Sequence, residues 1–138
     1  MTRHYDTPPF SGEVYPFRHA LVVEDEPALR SILQRLLSRL DISSSAVPDG
    51  QAALEFLGTH ATAVDLVISD MAMPRMRGCA LLKHLRATRP DIPVILMSGY
   101  DLGAIPEEEL KGQCRATLQK PFSSDELKQA LRDVAAAA

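Results

Sequence analysis

The sequence predicts an α/β domain: a parallel sheet with helices covering both of its faces. Three observations carry that prediction. Short apolar runs of strand length alternate with segments whose apolar residues recur at 3–4 spacing. The runs are continuous rather than alternating, as expected of strands buried on both sides. A chain of 138 residues, 46% hydrophobic and 24% charged, suits one globular domain with its own core.

Residues 1–17 carry Pro8, Pro9, Gly12 and Pro16 without periodicity and are expected to form a flexible leader, with the folded domain over 18–136. Ala20-Leu21-Val22-Val23 ends in acids and reads as the first, buried strand. Pro27 stands where a helix can begin, and Leu29, Ile32, Leu33, Leu36, Leu37 and Leu40 give that helix an inner stripe. Ile42 to Val47 is a weak, Ser-rich strand closed by the turn Pro48-Asp49-Gly50. Gln51 to Leu57 is a short helix, Leu66 to Ser69 the third strand, Cys79 to Thr88 the third helix, and Pro93 to Met97 the fourth strand. Pro106 to Gly112 predicts a short acidic helix, and Ala116 to Gln119 a fifth strand. Ser123, with Glu126 three residues on, is a capping box for a last helix whose inner face is Leu127, Ala130, Leu131 and Val134.

The bulk composition excludes several classes. A net charge of −3 gives no general pull toward nucleic acid, and 5% aromatic residues without Trp provide no base-stacking surface. Two cysteines make neither a disulfide framework nor a zinc site. No apolar run approaches the roughly 18 residues that span a bilayer. The polar N-terminus lacks the apolar core of a signal peptide, so the expected location is the cytoplasm, with no membrane partner.

In an open parallel sheet a site forms outside the carboxyl ends of the strands. The first strand delivers Glu24, Asp25 and Glu26 there, the third Asp70, the fourth Ser98 and Gly99, and the fifth Lys120 and Pro121. Clustered carboxylates suit Mg²⁺, a hard cation. A carboxylate is also a nucleophile that can form an aspartyl-phosphate, and it needs no general base because it is ionised at pH 7. Mg²⁺, an ammonium and a hydroxyl could share the charge on the transferring oxygens.

The stretches LVVEDEP, ISDMAMPRMRG, VILMSGY and LQKPF, in that order, resemble the response regulator receiver family over residues 19 to about 135. The wording SGY and LQKPFS is most similar to receivers of hybrid sensor histidine kinases. The resemblance implies a flavodoxin-like five-stranded sheet in the order 2-1-3-4-5. It implies that Asp70 accepts a phosphoryl group, that Glu24, Asp25, Asp70 and the backbone carbonyl of Ala72 hold Mg²⁺, and that Ser98 and Lys120 contact the phosphoryl oxygens. A cis bond before Pro121 is usual in the family. The implied partner is a histidine kinase or histidine phosphotransfer protein. The implied role is a phosphorelay switch rather than a turnover enzyme, catalysing only its own phosphorylation and slow dephosphorylation.

Two departures stand out. Thr117 occupies the place three residues before the Lys where relatives often carry an aromatic switch residue, and Arg77 stands where a small or acidic residue often precedes the Gly. The alternative function is a pseudo-receiver that binds partners without phosphorylation. A phosphatase of the haloacid dehalogenase class would need a second acid two places after its nucleophile, where this chain has Ala72. A nucleotide-binding domain would need a Gly-rich cradle after the first strand, where this chain has acids. His4, His19, His60 and His84 show no ligand spacing and are expected at the surface. Met71, Met73 and Met76 are expected to be loop packing, and Cys79 a small buried apolar residue.

Overall fold

A computed structural model describes residues 13–60, 63–71, 78–99 and 114–137. Five strands, β1 (His19–Val23), β2 (Ser43–Val47), β3 (Leu66–Asp70), β4 (Val94–Ser98) and β5 (Cys114–Gln119), form one sheet in the order β2-β1-β3-β4-β5. Every neighbouring pair is parallel. The described helices are α1 (Pro27–Arg39), α2 (Gly50–His60), α3 (Gly78–Thr88) and α4 (Ser124–Ala137). The acidic helix expected over Pro106 to Gly112 lies outside the described residues. None of the described helices is long and apolar enough to cross a membrane.

Strand periodicity divides the interior into two cores. Ala20 and Val22, Leu66 and Ile68, and Ile95 and Met97 face α1 and α4, where Leu33, Leu37, Leu127 and Leu131 meet them. Their neighbours Leu21 and Val23, Val67, and Val94 and Leu96 face α2 and α3, against Ala53, Leu57, Leu81, Leu82 and Leu85. This two-sided burial is why β3 and β4 open on continuous apolar runs, Leu66 to Ile68 and Val94 to Met97, with all five residues of each strand buried. The edge strand β2, Ser-rich, is only half-buried or exposed. A bulge on β5 sets Cys114 opposite Val94 but Ala116 opposite Ile95, so Arg115 is the extra residue and Ala116 and Leu118 turn to the α1/α4 side.

Local signals explain the helix starts. The capping box forms as expected: the Glu126 N–H donates to Ser123 Oγ at 3.1 Å, and the Ser123 N–H donates to Glu126 Oε1 at 2.8 Å. Asp49 starts α2, its Oδ1 accepting the Ala52 N–H at 2.8 Å. α1 begins at Pro27 with Glu26 as N-cap, and no side chain caps it.

Three expectations are corrected. Tyr15 and Phe17, assigned to the leader, are buried in the α1/α4 core, so the fold begins before residue 18. Val14 and Pro16 between and beside them are exposed, an alternation of extended chain too short, and too broken by proline, to register as a strand. Glu13 fastens this segment to α4, accepting from Arg132 Nε at 2.8 Å and Nη2 at 3.2 Å and from the Tyr15 hydroxyl at 2.8 Å. Ile32 was expected inward but is 46% exposed. It lies about 100° round the helix from Leu33, at the margin of a stripe broader than the contact arc. His19 is not a bare surface residue: its ring is held between Ser43 Oγ at 3.1 Å and Ser45 Oγ at 2.8 Å. His60 and His84 are exposed, as expected, and Met71 is buried. The expectations for His4, Met73, Met76 and Arg77, and for the side chain of Cys79, fall outside the described residues.

Candidate functional site

The chain leaves β1 toward β2 on one side and returns to β3 on the other, so a crevice opens where the ends of β1 and β3 diverge. Asp70 is the last residue of β3, and Glu24 and Asp25 directly follow β1. An oxygen from each of Glu24, Asp25 and Asp70 lies within 4.8 Å of the others. Glu24 and Asp70 are buried and Asp25 is exposed, so the cluster has two fixed walls and an open side.

Lys120, just past β5, reaches into this crevice. Its Nζ lies 2.9 Å from Glu24 Oε1 and 3.2 Å from Asp70 Oδ2. The Lys120 N–H donates to the Ser98 carbonyl at 2.7 Å, which ties the ends of β4 and β5 together. Ser98 is buried at the end of β4, beside Asp70, whose cross-strand neighbour is Met97. The Lys120–Pro121 peptide is cis. The structure thus brings Glu24, Asp25, Asp70, Ser98 and Lys120 to one end of the sheet; the Ala72 carbonyl lies outside the described residues.

Burial pushes the Glu24 carboxyl above the ordinary glutamate value, even though Lys120 and the Glu26 N–H favour its charged form. Burial also works against the Lys120 ammonium, but its two carboxylate partners outweigh it and hold lysine's pKa above the usual value. The two partners therefore do not shift as mirror images. Glu24, at 1% exposure, is far more enclosed than the Lys120 side chain at 22%. Glu24 Oε1 is fully buried, and the Lys120 ammonium 2.9 Å away is what it faces. A buried carboxylate oxygen beside two more acids is a donor suited to a hard cation.

Sequence reasoning did not single out Arg30. Its Nη1 donates to the Glu24 carbonyl at 2.9 Å. One of three arginines on a helix carries no signal in the sequence; only the fold shows which of them turns back toward the acids.

A family model for the response regulator receiver domain matches residues 20–132. The chain is 36% identical over 114 residues to the sensor kinase CckA of Brucella abortus, covering 83% of this chain and 12% of that protein. It is 38% identical over 104 residues to the regulator of RpoS of Escherichia coli, covering 75% of this chain and 30% of that one. It therefore spans less than a third of the length of these curated relatives. Among solved structures, a signal receiver domain of an HD domain-containing protein from Pseudomonas fluorescens is 30% identical, with a TM-score of 0.74 over 86% of this chain and 94% of that one. A receiver domain from Clostridium thermocellum shares the fold with a TM-score of 0.79 at 21% identity, over 88% of this chain and 96% of that one.

Proposed function

This chain belongs to the response regulator receiver family, and from that membership we propose that Asp70 accepts a phosphoryl group from a phosphohistidine on a histidine kinase or histidine phosphotransfer protein. The phosphorylated domain then switches the binding of a downstream protein partner. The observation that carries this reading is the convergence of Asp70, Glu24, Asp25 and Lys120 at the β1/β3 crevice.

In the transfer, an Asp70 carboxylate oxygen forms a bond to phosphorus as the bond from phosphorus to the donor's imidazole nitrogen breaks. The electron pair of the broken bond stays with the imidazole. Lys120, 3.2 Å from Asp70, would meet the negative charge gathered on the phosphoryl oxygens, and Ser98, at the end of β4, would donate a hydrogen bond to one of them. Glu24, Asp25 and Asp70 would hold Mg²⁺, for which their oxygen donors and the buried Glu24 Oε1 are suited. Bound there, Mg²⁺ supplies positive charge opposite the transferring group. The domain is a switch that modifies itself and slowly loses the phosphoryl group to water, not a turnover enzyme. It works in the cytoplasm, where thiols such as Cys114 stay reduced.

The test is incubation with a small-molecule phosphodonor and Mg²⁺. One phosphoryl group should be taken up in a form released by hydroxylamine, as an acyl phosphate is. No uptake would leave a domain that binds its partners without phosphorylation.

A further inference from the structure

The acids of the site sit on a three-residue bend, Glu24-Asp25-Glu26, between β1 and α1. Three successive carboxylates repel one another, and Asp25, exposed, has no enclosing wall to fix it. What holds the bend is therefore a question for its backbone. The Glu24 N–H donates to the Val47 carbonyl at 3.0 Å, which extends the sheet by one residue. The Glu26 N–H folds back onto Glu24 Oε2 at 3.1 Å. The N-cap side chain of α1 contributes nothing. Arg30 closes the arrangement twice: its N–H donates to the Glu26 carbonyl at 3.0 Å, and its guanidinium Nη1 to the Glu24 carbonyl at 2.9 Å.

We propose that Arg30 is a positioning residue for the metal-binding acids, its guanidinium fixing the Glu24 carbonyl and so the presentation of Glu24 and Asp25 to a divalent cation. The proposal rests on the reading of this crevice as an Mg²⁺ and phosphoryl site. Among the described residues Arg30 touches a carbonyl, not a carboxylate, so it orders the bend without neutralising it. Arginine suits the task because its guanidinium stays charged and presents donors in a rigid plane. Outer partners of this kind orient first ligands, and their loss commonly weakens metal binding by about 10–100-fold.

The sign of the effect separates positioning from charge. A guanidinium near an acid cluster repels Mg²⁺, so if charge were its only influence, removing it would tighten the metal. If it positions the acids, removing it loosens the metal. The experiment is Mg²⁺ titration of the full chain and of Arg30→Met, followed by calorimetry, alongside melting curves in a chelator. Arg30→Met is expected to bind Mg²⁺ about ten-fold more weakly. The Mg²⁺ needed for half-maximal phosphoryl uptake should rise by the same factor, while uptake at saturating Mg²⁺ stays within about two-fold of wild type. Unchanged or tighter Mg²⁺ binding overturns the proposal, whatever happens to the melting curve. If Arg30→Met does not melt cooperatively, Arg30→Lys decides: with the charge retained, weaker Mg²⁺ binding supports positioning and unchanged binding overturns it. A wild-type chain that binds no Mg²⁺ removes the metal-site reading and this proposal together, whereas a wild type that binds beside a variant that binds equally removes the proposal alone.

Discussion

Lys120 Nζ stands 3.2 Å from Asp70 Oδ2, an ion pair made across β4 between the ends of β5 and β3. The same ammonium lies against Glu24 Oε1, so it occupies the acids that a divalent cation would need. Two opposite effects of Lys120→Met follow. Mg²⁺ should bind more tightly, because a competing cation has gone. Phosphoryl uptake should fall by at least about ten-fold, because a positive charge facing the transferred group has gone too. Calorimetric Mg²⁺ titration and the rate of phosphoryl uptake check the two arms, and a variant that loses Mg²⁺ affinity would contradict the competition.

Mg²⁺ should stabilise the fold through the acid cluster. A ligand at about a hundred times its dissociation constant adds about 2.7 kcal/mol when it binds only the folded chain. The melting temperature of the wild type should therefore climb with Mg²⁺ concentration, and Asp25→Ala should lose most of that climb. A climb of equal size in both proteins would place the cation elsewhere.

Tyr15 supplies a pH-dependent prediction away from the site. Burial first, and then its hydrogen bond to the Glu13 carboxylate, push its phenol up to about 12. A phenol raised in the folded state is neutral there when an unfolded one, near about 10, has ionised. Its contribution to stability is complete below about pH 10 and is lost as pH rises toward 12. Tyr15 should thus titrate late by ultraviolet absorbance, and Tyr15→Phe should remove that late phase.

Phe17 tests the position of the domain's edge. Its side chain is 6% exposed in the α1/α4 core. Truncating a buried Phe to Ala typically costs about 3–5 kcal/mol. Denaturant unfolding of Phe17→Ala should show a loss of that order, and a loss under about 0.5 kcal/mol, the usual range of a surface change, would return residue 17 to a leader.

Thr117 faces the α2/α3 side, opposite Leu96, and is exposed. With no buried ring at this position, Thr117→Ala should change stability by no more than about 0.5 kcal/mol and leave phosphoryl uptake intact. Ser98→Ala, in contrast, should uncouple partner binding from phosphorylation. A Thr117→Ala variant that takes up phosphate normally but loses its phosphorylation-dependent partner would contradict this division.

The sheet and its site were legible because both are written in short-range patterns. Buried parallel strands such as β3 and β4 open on continuous apolar words, and the polar residue that closes each strand, Asp70 or Ser98, is the residue at the crevice. The capping box at Ser123 is equally local. What escaped depends on distance. Glu13 meets Arg132 from opposite ends of the chain, and nothing in either neighbourhood announces the pair. Tyr15 and Phe17 alternate with exposed residues over too few positions to show a period. The bulge that sets Arg115 apart follows from pairing with β4, which the sequence of β5 alone does not encode.

The central claim is that Asp70 carries the phosphoryl group, and intact mass after phosphodonor and Mg²⁺ treatment tests it most directly. Asp70→Asn keeps the shape of the side chain at its buried position but replaces a nucleophilic carboxylate with an amide. The wild type should gain the mass of one phosphoryl group, and Asp70→Asn, folded by its melting curve, should gain none. Equal uptake by Asp70→Asn would move the acceptor to another residue and contradict the account.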